Sequence, residues 1–156
     1  MIIIYHCYGG AHSSVLSAAI HTRILPNDRM PSNKDILKIP YFDKTTSNQI
    51  GIPFYYGDDE YGNKIYIQGM GGSDKVVKQL LKELMIKYEI PEKDVIMVDT
   101  LKNVNILVRI GGFLSRGLGL VFPGRYLTVL GLILNYNKFV NTVSQVKAKI
   151  AKFNIA

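Results

Sequence analysis

Ile2 to His6 is a short continuous apolar run, the pattern of a central strand covered on both faces. A Gly-rich turn follows it. Ser13 to Leu25 then carries Val15, Leu16, Ala19 and Ile20 on one helical face, until Pro26-Asn27 stops the pattern. Residues 26–52 have no period and hold Pro26, Pro31 and Pro40. A short helix is expected to start at Ser32, because Asp35 three residues on makes a weak capping box. Phe54–Gly57 and Lys64–Gln68 read as a hairpin around Asp58-Asp59-Glu60-Tyr61-Gly62-Asn63, with Ile65 and Ile67 alternating against Lys64, Tyr66 and Gln68.

After a second Gly-rich turn, Gly69 to Asp74, the residues Val77, Leu80, Leu81, Leu84 and Tyr88 recur at helical spacing. Val95 to Val98 is a second buried strand, ending at Asp99-Thr100. A helix is expected from about Asn103 to Arg116, then short strands near Leu118–Phe122 and Leu127–Leu130. A last helix carries Phe139, Val143, Val146, Ile150 and Phe153 as its packing stripe. Strands alternating with helices predict a three-layer α/β fold. The expected sheet is mostly parallel with helices on both faces, P-loop-like or Rossmann-like, with one β-hairpin. Its 156 residues suit one domain, 1–156, in which 26–52 is a candidate lid.

Composition changes this picture in four ways. With 47% hydrophobic and 20% charged residues the chain is globular, not disordered. Its one cysteine, Cys7, has no partner within the chain, and the opening residues read as a strand and not as a signal peptide. Both favour a cytoplasmic setting. The apolar stretch Val104–Tyr136 is interrupted by Arg109, Arg116 and Arg125, so no membrane span of about 20 apolar residues is expected. The charge is uneven: residues 1–99 hold 11 Lys/Arg and 12 Asp/Glu, whereas residues 100–156 hold 8 Lys/Arg and no acid. The whole net charge of +7 and more therefore belongs to the last third, a field that attracts phosphate, nucleic acid or an acidic surface.

In open α/β sheets ligands bind beyond the carboxyl ends of the strands. Three segments stand at such ends: Tyr8–Ser14, Gly69–Asp74 and Asp99-Thr100. Glycine lets backbone approach a ligand, and the helix that follows offers unpaired N–H groups to an anion. The candidate ligand-binding residues are Gly9, Gly10, His12, Ser13 and Ser14, with Gly71, Gly72 and Ser73 from the second turn. Arg109 and Arg116, seven apart on one helical face beside Gly111-Gly112, form a candidate anion stripe. Cys7, His12 and Asp99 are the catalytic candidates. No metal site is expected from His6, Cys7, His12 and His21, because His6 and Cys7 face opposite sides of a strand.

The first turn resembles two phosphate cradles. Its strand, glycines and Ser13-Ser14 resemble a P-loop in which His12 stands where Lys belongs. That likeness implies a nucleotide guest, Mg²⁺ as its companion and Asp99 as the acidic partner, while the missing Lys argues against ordinary ATP hydrolysis. His6-Cys7, five residues and then Ser13-Ser14 also resemble the cysteine-phosphatase loop, with Ser13 where the phosphate-binding Arg would stand. The expected partner is an anionic small molecule or nucleotide, with phosphoryl transfer or hydrolysis as the implied chemistry. The alternative is a non-catalytic module that binds RNA or another protein through the basic last third. As a whole the chain resembles an uncharacterised domain-of-unknown-function family of Gram-positive spore-forming bacteria. The likeness rests on Ile2 to Ser14, the Gly57/Asp58/Gly62 hairpin with Gly71-Gly72-Ser73, and Ile110 to Arg116. It implies no established activity.

Overall fold

The computed structural model describes residues 1–155. Four strands form one sheet: β1 (Ile2–Cys7), β2 (Pro53–Asp58), β3 (Lys64–Gly69) and β4 (Val95–Asp99), in the order β2-β3-β1-β4. β1 runs parallel to both β3 and β4, and β2 is antiparallel to β3 with an irregularity between Tyr55 and Gly57. The sheet is therefore mixed where a mostly parallel one is expected. The hairpin explains the difference: its tight turn at Asp59–Asn63 forces its two strands antiparallel, and only the helical crossovers deliver parallel neighbours.

The β1 alternation sets the core. Ile3 and Tyr5 pair with Ile65 and Ile67 on one side and with Ile96 and Val98 on the other, and all six are buried on one face. Helix α1 (Ser13–His21) packs on β1 and β3, and α6 (Tyr136–Ile155) packs on α1. The α6 stripe is the one its spacing predicts: Phe139, Val143, Val146 and Ile150 are all buried, while Phe153 lies at the edge. α1 is shorter than expected, because Thr22 closes it and Arg23 turns into a left-handed conformation. Helix α2 (Asn33–Lys38) has the capping box its sequence predicts: Ser32 Oγ accepts from the Asp35 N–H, and the Asp35 carboxylate accepts from the Ser32 N–H.

Helix α3 (Asp74–Lys87) brings Asp74 and Lys78 to the opposite face of the sheet, near His6. Its apolar stripe is legible but not buried: Leu80 and Leu84 are exposed, and Met85 alone is fully covered.

The expected strands near 118–122 and 127–130 are not strands. Residues 121–134 form helix α5 (Val121–Leu134), packed against α4 (Ile106–Gly112), which continues as a single π-helical turn, Phe113–Gly117. Glycine makes this pairing. A Cβ on Gly111 would lie 2.5 Å from the Thr128 nitrogen, and one on Gly124 would lie 2.6 Å from the Ser115 nitrogen. The two backbones touch because neither position carries a side chain. No helix among the described residues is long and apolar enough to cross a membrane.

Candidate functional site

A pocket of about 560 Å³ opens at the carboxyl end of β1. Cys7, Gly9, His12 and Ser13 form its floor. Thr45, Thr46, Ser47 and Ile50 from the irregular segment form one wall, and Val108, Arg109, Gly112, Phe113 and Arg116 form the wall opposite. Leu101 and Val104 close the end. The sequence expectations converge here for Cys7, Gly9, His12, Ser13, Arg109 and Arg116.

The floor is built around the sulfur of Cys7. The Gly10 N–H donates to Sγ at 3.1 Å, and the Ser14 hydroxyl lies 3.2 Å from it. Gly10 is left-handed, with φ +68°, and a Cβ there would sit 2.6 Å from the Gly69 nitrogen. Gly10 thus serves the turn and its contact with the second turn, and it does not line the pocket. Ser14 is fully buried beneath the floor. Thr100 Oγ1 donates to the His6 carbonyl at 2.8 Å and accepts from the Ser13 hydroxyl at 2.9 Å, tying α1 to the end of β4.

His12 stands at the N-cap of α1 but makes no capping hydrogen bond. Its Nε2 lies 3.0 Å from the Asp43 carboxylate instead. An ionised carboxylate only accepts, so Nε2 carries the hydrogen there. Nδ1 then faces Gly112, where a Cβ would lie 3.4 Å from it. The first turn of α1 has no acidic residue and no side-chain cap, which leaves its N–H groups available to an anion.

Asp43 organises the wall. Its Oδ1 also accepts from Ser115 at 3.2 Å, and Oδ2 accepts from Arg125 Nε at 2.7 Å. Its own N–H donates to the Ala11 carbonyl at 3.0 Å. Burial works to raise its carboxyl, yet the hydrogen bonds from His12 and Arg125 and their charges hold it down at about 2. Arg116 donates to the carbonyls of Asp43 and Thr45, and Thr45 Oγ1 donates to the Gly9 carbonyl at 3.0 Å. The irregular segment is thereby pinned to the turn as a wall. Arg109 has no side-chain hydrogen-bond or ion-pair partner among the described residues, and it lines the pocket. Arg109 and Arg116, expected to act alike, therefore differ: one is spent on the loop and one is free.

The remaining candidates stand elsewhere. Asp99 accepts from the Leu101 N–H at 2.9 Å and faces the other side of the sheet with His6, outside the pocket wall. Gly71 donates its N–H to the Tyr8 carbonyl at 2.9 Å, and Ser73 makes no side-chain cap; neither they nor Gly72 line the pocket. Sequence reasoning missed Asp43, Thr45, Thr46 and Ser47, and registered Arg125 only as a break in an apolar stretch. No period marks an acid in an irregular loop 31 residues from the histidine it holds. Among the described residues no group of three or more His, Cys, Asp or Glu is placed to hold a metal.

No curated protein and no solved structure matches the chain. A family model described as a protein of unknown function, DUF3189, matches residues 2–148, and the chain belongs to that family.

Proposed function

We propose that this member of a family without an assigned activity binds a phosphorylated or otherwise anionic small molecule that has an apolar body. The reading rests on one observation: the unpaired Arg109 and the uncapped first turn of α1 border the same pocket. A phosphate between them would take N–H donors from α1 and a guanidinium from α4, the geometry that anion sites favour. Ile50, Leu101, Val104, Val108 and Phe113 give the pocket apolar walls, which suit a nucleoside, an aryl or an acyl body attached to that anion.

The test is a thermal-shift panel of phenyl phosphate, adenosine monophosphate, a sugar phosphate, inorganic phosphate and a short RNA, each with and without Mg²⁺. A guest at a hundred times its Kd stabilises the fold by about 2.7 kcal/mol, several degrees for a chain of this size. Arg109→Ala is expected to lose the shift while keeping the native melting temperature. Silence across the panel, or an equal shift in Arg109→Ala, contradicts the reading. A shift with short RNA alone moves the function to the basic last third.

A second reading is favoured by the donors gathered at Cys7 Sγ. In it the sulfur forms a bond to phosphorus as the ester P–O bond breaks, and the thiol hydrogen ends on the departing alcohol. Water then splits the S–P bond and restores the thiol with release of phosphate. Arg109, reaching in from another element, takes the place of the loop arginine that Ser13 replaces. Hydrolysis of 4-nitrophenyl phosphate by the native protein and none by Cys7→Ser supports this reading; equal rates remove it.

A further inference from the structure

Residues 106–126 turn large apolar side chains outward. Ile106, Ile110 and Phe113, spaced four and three apart on α4 and its π-helical turn, share a face, and Phe113 is 61% exposed. Leu118, Val121 and Phe122 continue the surface through the connection into α5, where Phe122 is 83% exposed. A contiguous apolar surface of this kind on a folded protein marks an interaction site.

The charge around it is one-sided. Arg109, Arg116 and Arg125 lie within the same segment, where no acid occurs from residue 100 onward, and the buried Asp43 carboxylate that Arg125 and Arg116 face offsets only one charge of the three. A second exposed apolar surface, on α3, differs in kind: Asp74 and Glu83 interleave with its lysines. This difference selects the partner. A second copy of the chain docking through the same face would set like charges against each other across a symmetric contact. A nucleic acid would satisfy the arginines and leave Ile106, Leu118 and Val121 with nothing to cover them. An anionic phospholipid surface takes both kinds of side chain at once: the apolar ones enter the acyl boundary and the arginines stay at the phosphates.

We infer that residues 106–126 dock this protein onto an anionic phospholipid bilayer, with Phe113 and Phe122 below the headgroups, Arg109 at their level, and the positive charge that Arg116 and Arg125 keep in excess of Asp43 beside it. The apolar residues that carry this docking lie outside the anion contacts proposed for the pocket, although Phe113 and Arg109 border both. The pocket mouth therefore opens at the lipid surface.

The chain contains no tryptophan, so Phe122→Trp gives a fluorescent reporter free of background. With vesicles of equal parts phosphatidylglycerol and phosphatidylcholine, the variant is expected to co-sediment and its emission to shift to the blue. Binding to pure phosphatidylcholine is expected to be at least about tenfold weaker, and added salt weakens binding to the anionic vesicles. Leu118→Asp/Phe122→Asp is expected to lose about tenfold or more in vesicle binding at unchanged melting temperature, since both positions are exposed. Ser13→Ala is expected to keep vesicle binding even where it weakens small-anion binding, so failure of one reading is told apart from failure of the other. Three results overturn the docking: no co-sedimentation with anionic vesicles, a blue-shifted Phe122→Trp emission in a lipid-free dimer, or vesicle binding unaffected by the double aspartate variant.

Discussion

Asp43→Asn tests how the pocket is held together. The carboxylate is almost wholly buried, and it receives hydrogen bonds from His12, Ser115 and Arg125. Asparagine keeps the shape and one acceptor oxygen, but it loses the charge and sets an NH₂ group against the donors of His12 or Arg125. Hydrogen bonds to a charged group contribute about 1.5–3 kcal/mol each. The Arg125 side chain is partly exposed and regains water when released, which reduces its share. The expected loss is about 3 kcal/mol, a fall in melting temperature of roughly 5–10 °C for a chain of this length. Urea unfolding at pH 7 measures it, with an unchanged slope as the check on two-state behaviour. The acid limb adds an independent reading. The Asp43 carboxyl is held down at about 2, below the ordinary carboxylate value. Its contribution is therefore complete above pH 4 and lost as pH falls through about 2, an order of 2 kcal/mol that the Asn variant does not have to lose. A variant within about 0.5 kcal/mol of native at pH 7, with the same acid limb, refutes the assignment of Asp43 as the organiser of the wall.

Gly10→Val is expected to be a folding defect and not a clean binding variant, since its Cβ would meet backbone 2.6 Å away at a left-handed φ; a loss of about 3 kcal/mol or more in urea unfolding checks it. Gly9→Ala, with no atom within 4 Å of the new methyl, is expected to cost under about 1 kcal/mol in the same measurement. His6 is buried with neither ring nitrogen hydrogen-bonded, and burial, then Lys78, lowers its imidazole from the ordinary value. Burial likewise lowers His21, whose ring sits between Tyr5 and Asp59. Both favour the neutral ring in the fold, so stability is full above the ordinary histidine value of 6.5 and declines as pH falls below it. His6→Met is expected to match or exceed native stability at pH 7, by up to about 1 kcal/mol, and to flatten part of that decline; a destabilised variant with the native pH profile sinks this view of His6.

The fold was legible where one physical signal dominated. The period of α6, the alternation of β3 and the capping pair at Ser32 and Asp35 each depend on neighbours in the chain, and each was readable there. Residues 118–130 were misread because α5 is apolar nearly all round. Its glycines, which look like strand punctuation, are contact points for α4, and a helix without a polar face shows no period. The α3 stripe fixed the helix but not its burial, which depends on how closely the sheet below is covered. At the site, the Gly-rich turn was visible because its glycines carry conformational demands of their own. Asp43 was not, because its role comes only from long-range contacts. Gly111 and Gly112, adjacent in the chain, serve different ends: the first admits the α5 backbone, and the second faces His12 across the pocket.

The most direct test of the pocket is an amide NMR map of the ¹⁵N-labelled protein titrated with phenyl phosphate, run beside Gly112→Leu, which fills the space in front of His12. The account predicts saturable shifts at the N–H groups of Ser13, Ser14 and Val15 and at the Arg109 side chain, absent from the leucine variant. Saturable shifts centred on Gly71 to Asp74, or no saturable shift anywhere, contradict it.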